Sequence, residues 1–413
     1  MSNTASRYAV WMILLAAAGT FALTMGTRQT MGLFLSDVNS ATGLGIANIS
    51  LAFAFGQLWW GLTQPFAGAF ADRVGAGRVL LIGVSLVALG TILTPLMTST
   101  AGLVFAIGVL AAGGAGMAGP SVLMAATTRM LPAERRGMAT GIVNAGGSFG
   151  QFIMAPVAAG LTAALGWMTS MQVLGLIVLL ALPAAWVLRG NSSAAATSAP
   201  AGVAGGPAPA REGTRAAITR ALADPSYRLL ACGFFVCGFH VAFLATHLPN
   251  VVAMCGLPPS VSAWSLGLLG LFNIVGSLTM GWAVGRWRMK SLLSLVYAAR
   301  AVAVLVFLLS PKTATTMLIF AAVMGLTYLS TVPPTAGLVA KFFGPANMAT
   351  LFGIVMLSHQ IGGFTGAWLG GKVFTMTGSY DTIWIIDILL AFGAAVVHFP
   401  IREAVLPPRA QPA

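Results

Sequence analysis

The stretch Gly68-Ala-Phe-Ala-Asp72-Arg73-Val-Gly75-Ala-Gly-Arg78 decides how the rest of the chain is read. It is a short cationic loop with a long apolar run on either side. A degenerate copy, Gly281-Trp-Ala-Val-Gly285-Arg286-Trp-Arg288-Met-Lys290, begins 213 residues later. Two further landmarks repeat at nearly that spacing. Gly113 matches Gly325, and Gly141-Ile-Val matches Gly353-Ile-Val, each 212 residues on. The chain therefore carries one design twice. Internal repeats of this kind build many secondary transporters, with the substrate bound near mid-depth where the repeats meet.

Composition sets the solvent. Of 413 residues, 58% are hydrophobic and 7% charged, against roughly 25% charged in an ordinary soluble domain. Too few polar residues remain to coat a water-soluble surface. This excludes a soluble enzyme, a nucleic-acid-binding module and a disordered chain. A membrane helix needs about 20 mostly apolar residues, so twelve need about 240. The apolar runs supply twelve, at 9–34, 46–70, 78–97, 102–126, 138–160, 168–188, 227–250, 261–284, 291–310, 314–338, 350–371 and 381–400. The first is too long for a signal-peptide core, and Arg28 stands where a small-residue cleavage site belongs, so it reads as a retained helix. Residues 190–225 form the one long break. They open with an Ala, Ser, Gly and Pro stretch that cannot bury a core, followed by a basic amphipathic segment. The expected plan is an all-α membrane protein with a six-helix bundle at 1–189, a flexible cytoplasmic linker at 190–225, and a second six-helix bundle at 226–413. Cys232, Cys237 and Cys255 form no CxxC pair and read as small packing residues.

The net charge of +13 follows from sidedness. With the N-terminus inside, 17 of the 21 Lys and Arg residues fall in inner loops and tails, and only Lys312 and Lys372 fall in outer ones. This positive-inside asymmetry places both termini in the cytoplasm, and so the protein in the cell inner membrane. It also removes any need for a nucleic-acid partner. The two remaining cations, Arg28 and Arg300, lie inside spans.

The 68–78 loop, placed between the second and third of twelve spans, resembles the G-x-x-x-D-R-x-G-x-x-R signature of the major facilitator superfamily. The resemblance implies a cytoplasmic gating role for Gly68, Asp72, Arg73, Gly75 and Arg78, with Arg286 in the degenerate copy. It further implies a monomer in which spans one, four, seven and ten line a central cavity. Within that superfamily, Gly26-Thr-Arg28-Gln29-Thr-Met-Gly32-Leu-Phe, Gly61-Leu-Thr-Gln64-Pro65-Phe-Ala-Gly68 and His359-Gln360-Ile-Gly-Gly are similar to bacterial relatives of the monocarboxylate and oxalate carriers. The chain departs from their pattern in two places. Span eight offers Asn273 and Ser277 where animal monocarboxylate carriers place an Asp and an Arg. Span eleven offers His359 and Gln360 where the oxalate-type carrier has a Lys.

An ionisable group inside a span is costly and therefore a functional candidate. Arg28 leads, because a guanidinium can hold a carboxylate through two parallel hydrogen bonds. The competing role is snorkelling to the interface. Gln29, His247, Asn273 and Gln360 complete the candidate substrate set, and His240 and His359 are candidate proton carriers because imidazole titrates near neutrality. Helix packing is the plain alternative for each histidine. His398 reads as interfacial. Arg300 and Asp387, on peripheral spans, read as structural, with a mutual pair open to them. The cavity-lining spans carry no carboxylate away from their ends, so the electropositive balance favours an organic anion. The reading is a secondary carrier of a small, monocarboxylate-like anion, by proton symport or anion exchange, with substrate, proton and membrane lipid as its partners. A proton-coupled exporter of amphiphilic drugs or metabolites is the alternative. A non-transporting membrane sensor would need an appended domain, which the 190–225 stretch does not offer. No phosphate loop, cofactor site, catalytic constellation or metal-ligand cluster is expected.

Overall fold

A computed structural model describes residues 2–131, 136–189, 214–343 and 348–404. Among them the chain is all helix, with no strand. Nine segments are long and apolar enough to cross a membrane. In the first half these are α1 (Val10–Thr42), α3 (Ala76–Leu96), α4 (Thr100–Thr127), α5 (Ala139–Leu165) and α6 (Trp167–Val187). In the second they are α7 (Pro225–Met254), α8 (Pro259–Val284), α9 (Met289–Leu309) and α10 (Ala314–Phe343). Three more helices complete twelve: α2 (Ile46–Val74), α11 (Met348–Thr377) and α12 (Asp381–Val397). Polar residues such as Gln57, His359 and Gln360 dilute the apolar character of α2 and α11. A short amphipathic helix, Thr214–Ala223, precedes α7. The remainder of the 190–225 stretch lies outside the described residues.

Local sequence explains the joints. Gly75 adopts φ 92°, a conformation open to glycine, and so turns α2 into α3 within one residue. Asp224 accepts a hydrogen bond from the backbone N–H of Tyr227, and Pro225 fills the first turn of α7, where no N–H is needed. Three spans are interrupted. A 3-10 turn, Met31–Phe34, breaks α1 just after Arg28. A π-helical segment, Val104–Ala112, runs through α4. The hydrogen-bond ladder of α10 lapses between Thr327 and Val332.

Six helices pack in each half, and matching pairs pack in matching ways. In the first half, Gly146 and Gly150 of α5 lie against the backbone of Ala18 and Ala22 of α1. In the second, Gly362 and Gly366 of α11 lie against the carbonyls of Phe235 and Phe239 of α7, and Gly238 faces the carbonyl of His359. Without a hydrophobic drive between helices in lipid, small residues that admit close backbone approach hold such pairs. The outer surface is apolar, with Leu180, Leu389 and Phe392 each more than 60% exposed. That inverts the pattern of a water-soluble protein.

Hydrogen bonds between the halves include Ser36 to Asn250 at 2.9 Å, Gln57 to Gln360 at 3.3 Å, and Asn273 to Ser148 at 2.7 Å. Gly32 meets the Ala245 carbonyl and Gly371 meets Ser50 across the same boundary. These contacts lie at mid-depth or toward the end away from the Gly68–Arg78 loop. Toward the loop end, a Cβ placed on Gly68, Gly141, Gly281 or Gly353 would meet nothing within 4 Å.

Candidate substrate cavity

Between the halves lies a cavity of about 40 Å³, bordered by Arg28, Gln29, Gln57, Ala242, Thr246 and Ala367 among others. A water needs roughly 10–15 Å³ of such space, so the cavity as it stands holds a few waters. Arg28 is the one charged side chain among its lining residues. It sits on the last turn of α1 before the 3-10 break, which brings it from the helix face into the interior. Its Nη2 donates to Oε1 of Gln57 on α2, and Gln57 passes its own Nε2–H to Oε1 of Gln360 on α11. The guanidinium also lies 4.9 Å from the ring centre of Trp60, an attractive arrangement for a cation over an aromatic face. No carboxylate among the described residues pairs with it. Taking a cation out of water is costly, and here the Gln57 amide oxygen and the Trp60 ring are the groups that face it.

Gln29 is buried and also borders the cavity. Gln360 reaches it through Gln57. The other sequence candidates point elsewhere. Thr246 lines the cavity, while its neighbour His247 turns into the second half. There His247 Nε2–H donates to the Ala367 carbonyl at 2.8 Å, so in the neutral ring Nδ1 accepts from the Tyr380 hydroxyl at 3.1 Å. Tyr380 in turn accepts from Asn250 at 2.9 Å, and Asn250 accepts from Ser36 in the first half. Asn273 works at the boundary. Its amide donates to Ser148, and its oxygen accepts from the backbone N–H of Leu329, inside the interruption of α10.

His240 lies 2.9 Å from an Asp387 carboxylate oxygen, between α7 and α12, with both side chains 1% exposed. Neither residue borders the cavity. Arg300 donates to the carbonyls of Thr327 and Tyr328, the latter at 2.7 Å, where the interruption of α10 frees them. Arg300 and Asp387 thus each have a different partner. His359 is buried against Phe234, ring centres 4.9 Å apart, and neighbours the Cys237 thiol. His398 bonds the Ala394 carbonyl one turn back. In the loop, Arg73 and Arg78 are exposed, and the side chain of Asp72 lies outside the described residues. Arg286 lies over Trp282 at 4.0 Å. Sequence reasoning gave no weight to Trp60, Thr246 or Tyr380. Nothing in an apolar span distinguishes a cavity wall from a lipid face before the helices are docked.

A family model described as the Major Facilitator Superfamily matches residues 10–367 and 230–412. The chain belongs to the major facilitator superfamily. Among curated relatives, this superfamily member is 24% identical over 401 residues to monocarboxylate transporter 13 of Rattus norvegicus, covering 94% of this chain and 89% of that protein. It is also 24% identical over 402 residues to the uncharacterized MFS-type transporter YcxA of Bacillus subtilis (strain 168), covering 94% of each. Its fold is similar to that of a D-xylose-proton symporter, with a TM-score of 0.76 at 13% identity over 96% of this chain and 100% of that one. A bacterial homolog of the human lysosomal transporter Spinster, in an inward-facing and occupied conformation, gives 0.73 at 16% identity over 94% and 95%. The protein is therefore a multi-span membrane transporter and not an enzyme.

Proposed function

We propose that this transporter carries a small organic anion of the monocarboxylate type by alternating access, coupled to protons or to a second anion. The observation that carries the reading is the lone guanidinium of Arg28 in the cavity, without a carboxylate partner. A carboxylate substrate would supply the missing charge and form the stronger, charge-assisted hydrogen bonds that Gln57 only partly replaces. The monocarboxylate transporters among its relatives point the same way. Gln29 and Gln360 supply neutral contacts in this scheme. His240 and His359 are the proton carriers, and His247 and Asn273 act at one remove, through the helices they hold.

On this reading the loops rich in Arg and Lys face the cytoplasm of a bacterial inner membrane, with both termini inside. Residues 190–225 tether two bundles, 1–189 and 226–413, that rock as a monomer. Gly68, Asp72, Arg73, Gly75, Arg78 and Arg286 gate the cytoplasmic side. The present cavity holds a few waters, so alternating access requires it to widen toward one side to load cargo.

The test is uptake by proteoliposomes. A labelled small monocarboxylate should enter saturably, faster under an inward proton gradient or with a trapped counter-anion. Efflux of lipophilic cations with no carboxylate uptake would sink the anion assignment and favour the exporter.

A further inference from the structure

A second concavity, of about 430 Å³, lies at the loop end of the second half, away from the central cavity. Three segments distant in sequence converge on it: Arg288 and Lys290 at the start of α9, Lys341 near the end of α10, and Arg402 and Glu403 after α12. Glu403 acts as the tie. One carboxylate oxygen accepts the backbone N–H of Lys290 at 2.7 Å, and the other accepts Lys341 Nζ at 3.3 Å. Lys290 Nζ is anchored to the Phe399 carbonyl at 2.8 Å.

Four cations thus surround one carboxylate. The guanidinium groups of Arg288 and Arg402 border the concavity with no partner among the described residues. The start of α9, a 21-residue helix, adds the partial positive charge of its N-terminus. Exposed aromatics directly precede lining residues in the chain, Trp287 before Arg288 and Phe399 before Pro400. Trp287 packs edge-on against Trp282, ring centres 5.3 Å apart, and Phe399 is 64% exposed. Exposed tryptophans of this kind mark the headgroup level of a membrane protein. A basic pocket between span ends at that depth is chemically suited to a phosphate group with apolar chains attached.

We propose that this concavity binds the phosphodiester headgroup of an anionic phospholipid. Arg288 and Arg402 clamp the phosphate oxygens, and the acyl chains descend past Trp287 and Phe399. A soluble phosphate compound would engage the same guanidinium groups but make no use of the aromatic edge.

Native mass spectrometry and thermal melting of the full protein in neutral detergent separate these sources. Phosphatidylglycerol should leave a retained adduct and raise the melting temperature by several degrees, while phosphatidylcholine should do neither. The double variant Arg288→Gln/Arg402→Gln should lose at least tenfold in phosphatidylglycerol affinity, with its melting temperature in detergent alone unchanged. The surface variant Arg189→Gln, in the first half, should keep it. Should the Arg288/Arg402 double variant prove unstable, Arg402→Gln alone provides the same comparison. Equal response to both lipids, equal loss in the first-half variant, or retention in the double variant would each overturn the proposal. Glycerol phosphate or inorganic phosphate matching the lipid's shift would overturn it in favour of a soluble ligand.

Discussion

The two halves share one fold but are held together by different chemistry. The first-half core is mainly Ala, Val and Leu, as at Ala17, Val79, Leu80, Val84 and Ala115. The second-half core is dense in rings, among them Phe234, Phe243, Tyr297, Phe307, Tyr328 and Trp384. Buried ionisable groups divide even more sharply. The second half holds His240, His247, Arg300, His359, Asp387 and His398, nearly all turned inward on its own helices. The first half commits Arg28 to the boundary. Duplication of a fold therefore does not duplicate its electrostatics. One half places its buried charge at the boundary, and the other holds its buried ionisable groups among its own helices.

That contrast predicts that substitutions in the second half damage the fold and those at Arg28 damage transport. The largest effect should come from Asp387→Ala. Removing one partner of this buried contact leaves the other unsatisfied, at a cost of about 3 kcal/mol, so the melting temperature in detergent should fall steeply. An unchanged melting temperature would mean that the His240–Asp387 pair contributes no cohesion. Arg28→Ala should melt like the parent yet lose the charge-assisted contact to substrate, worth about 1.5–3 kcal/mol. Transport efficiency should drop roughly tenfold to a hundredfold, with partial recovery in Arg28→Lys. Full activity in the alanine variant would remove Arg28 from the mechanism.

Packing offers a finer comparison. Gly362→Ala would drive a methyl group into the Phe235 carbonyl and should cost about 1–3 kcal/mol by overpacking. On the same helix, Gly353→Ala meets nothing within 4 Å and should be neutral or slightly stabilising in melting experiments, because Ala is the better helix former. Equal effects would show that helix propensity outweighs the close approach. The smallest effect expected is that of Tyr380→Phe, which deletes the hydroxyl linking His247 to Asn250. Loosening the Ser36–Asn250 contact by about 1 kcal/mol should favour opening at that end several-fold. In protein with its native cysteines replaced, the labelling rate of Thr246→Cys by an impermeant thiol reagent, applied from that side, reads the shift.

The span pattern was legible in the sequence because lipid imposes it: every crossing needs a long apolar run. Residues 168–188 correspond to α6 at Trp167–Val187 and 102–126 to α4 at Thr100–Thr127. The first span extends to Thr42 because the Met31–Phe34 turn bends the chain without ending it. The site was legible only as an inventory. Cost draws attention to an arginine or histidine in a span but does not say which way it faces. Thr246 and His247 are adjacent, roughly 100° apart around the helix, and one borders the cavity while the other is locked to Ala367 and Tyr380. Settling that needs the rotation of α7 relative to α11, which depends on glycine spacing in both helices together.

The glycine contacts also fix which parts can slide. Gly362 and Gly366 seat α11 directly on the peptide carbonyls of α7, leaving no side chain between them to repack. Gly61 and Gly363, where α2 meets α11, instead rest on the flexible amides of Gln360 and Gln57. The first kind of joint behaves as a weld, and the second as a bearing whose amide links water can replace one at a time. Backbone joints also cross the boundary, at Gly32 on the Ala245 carbonyl and Gly270 on the Ser148 carbonyl, so the compliant part of the seam is the α2–α11 contact, built from the same glutamines that hold the guanidinium in place.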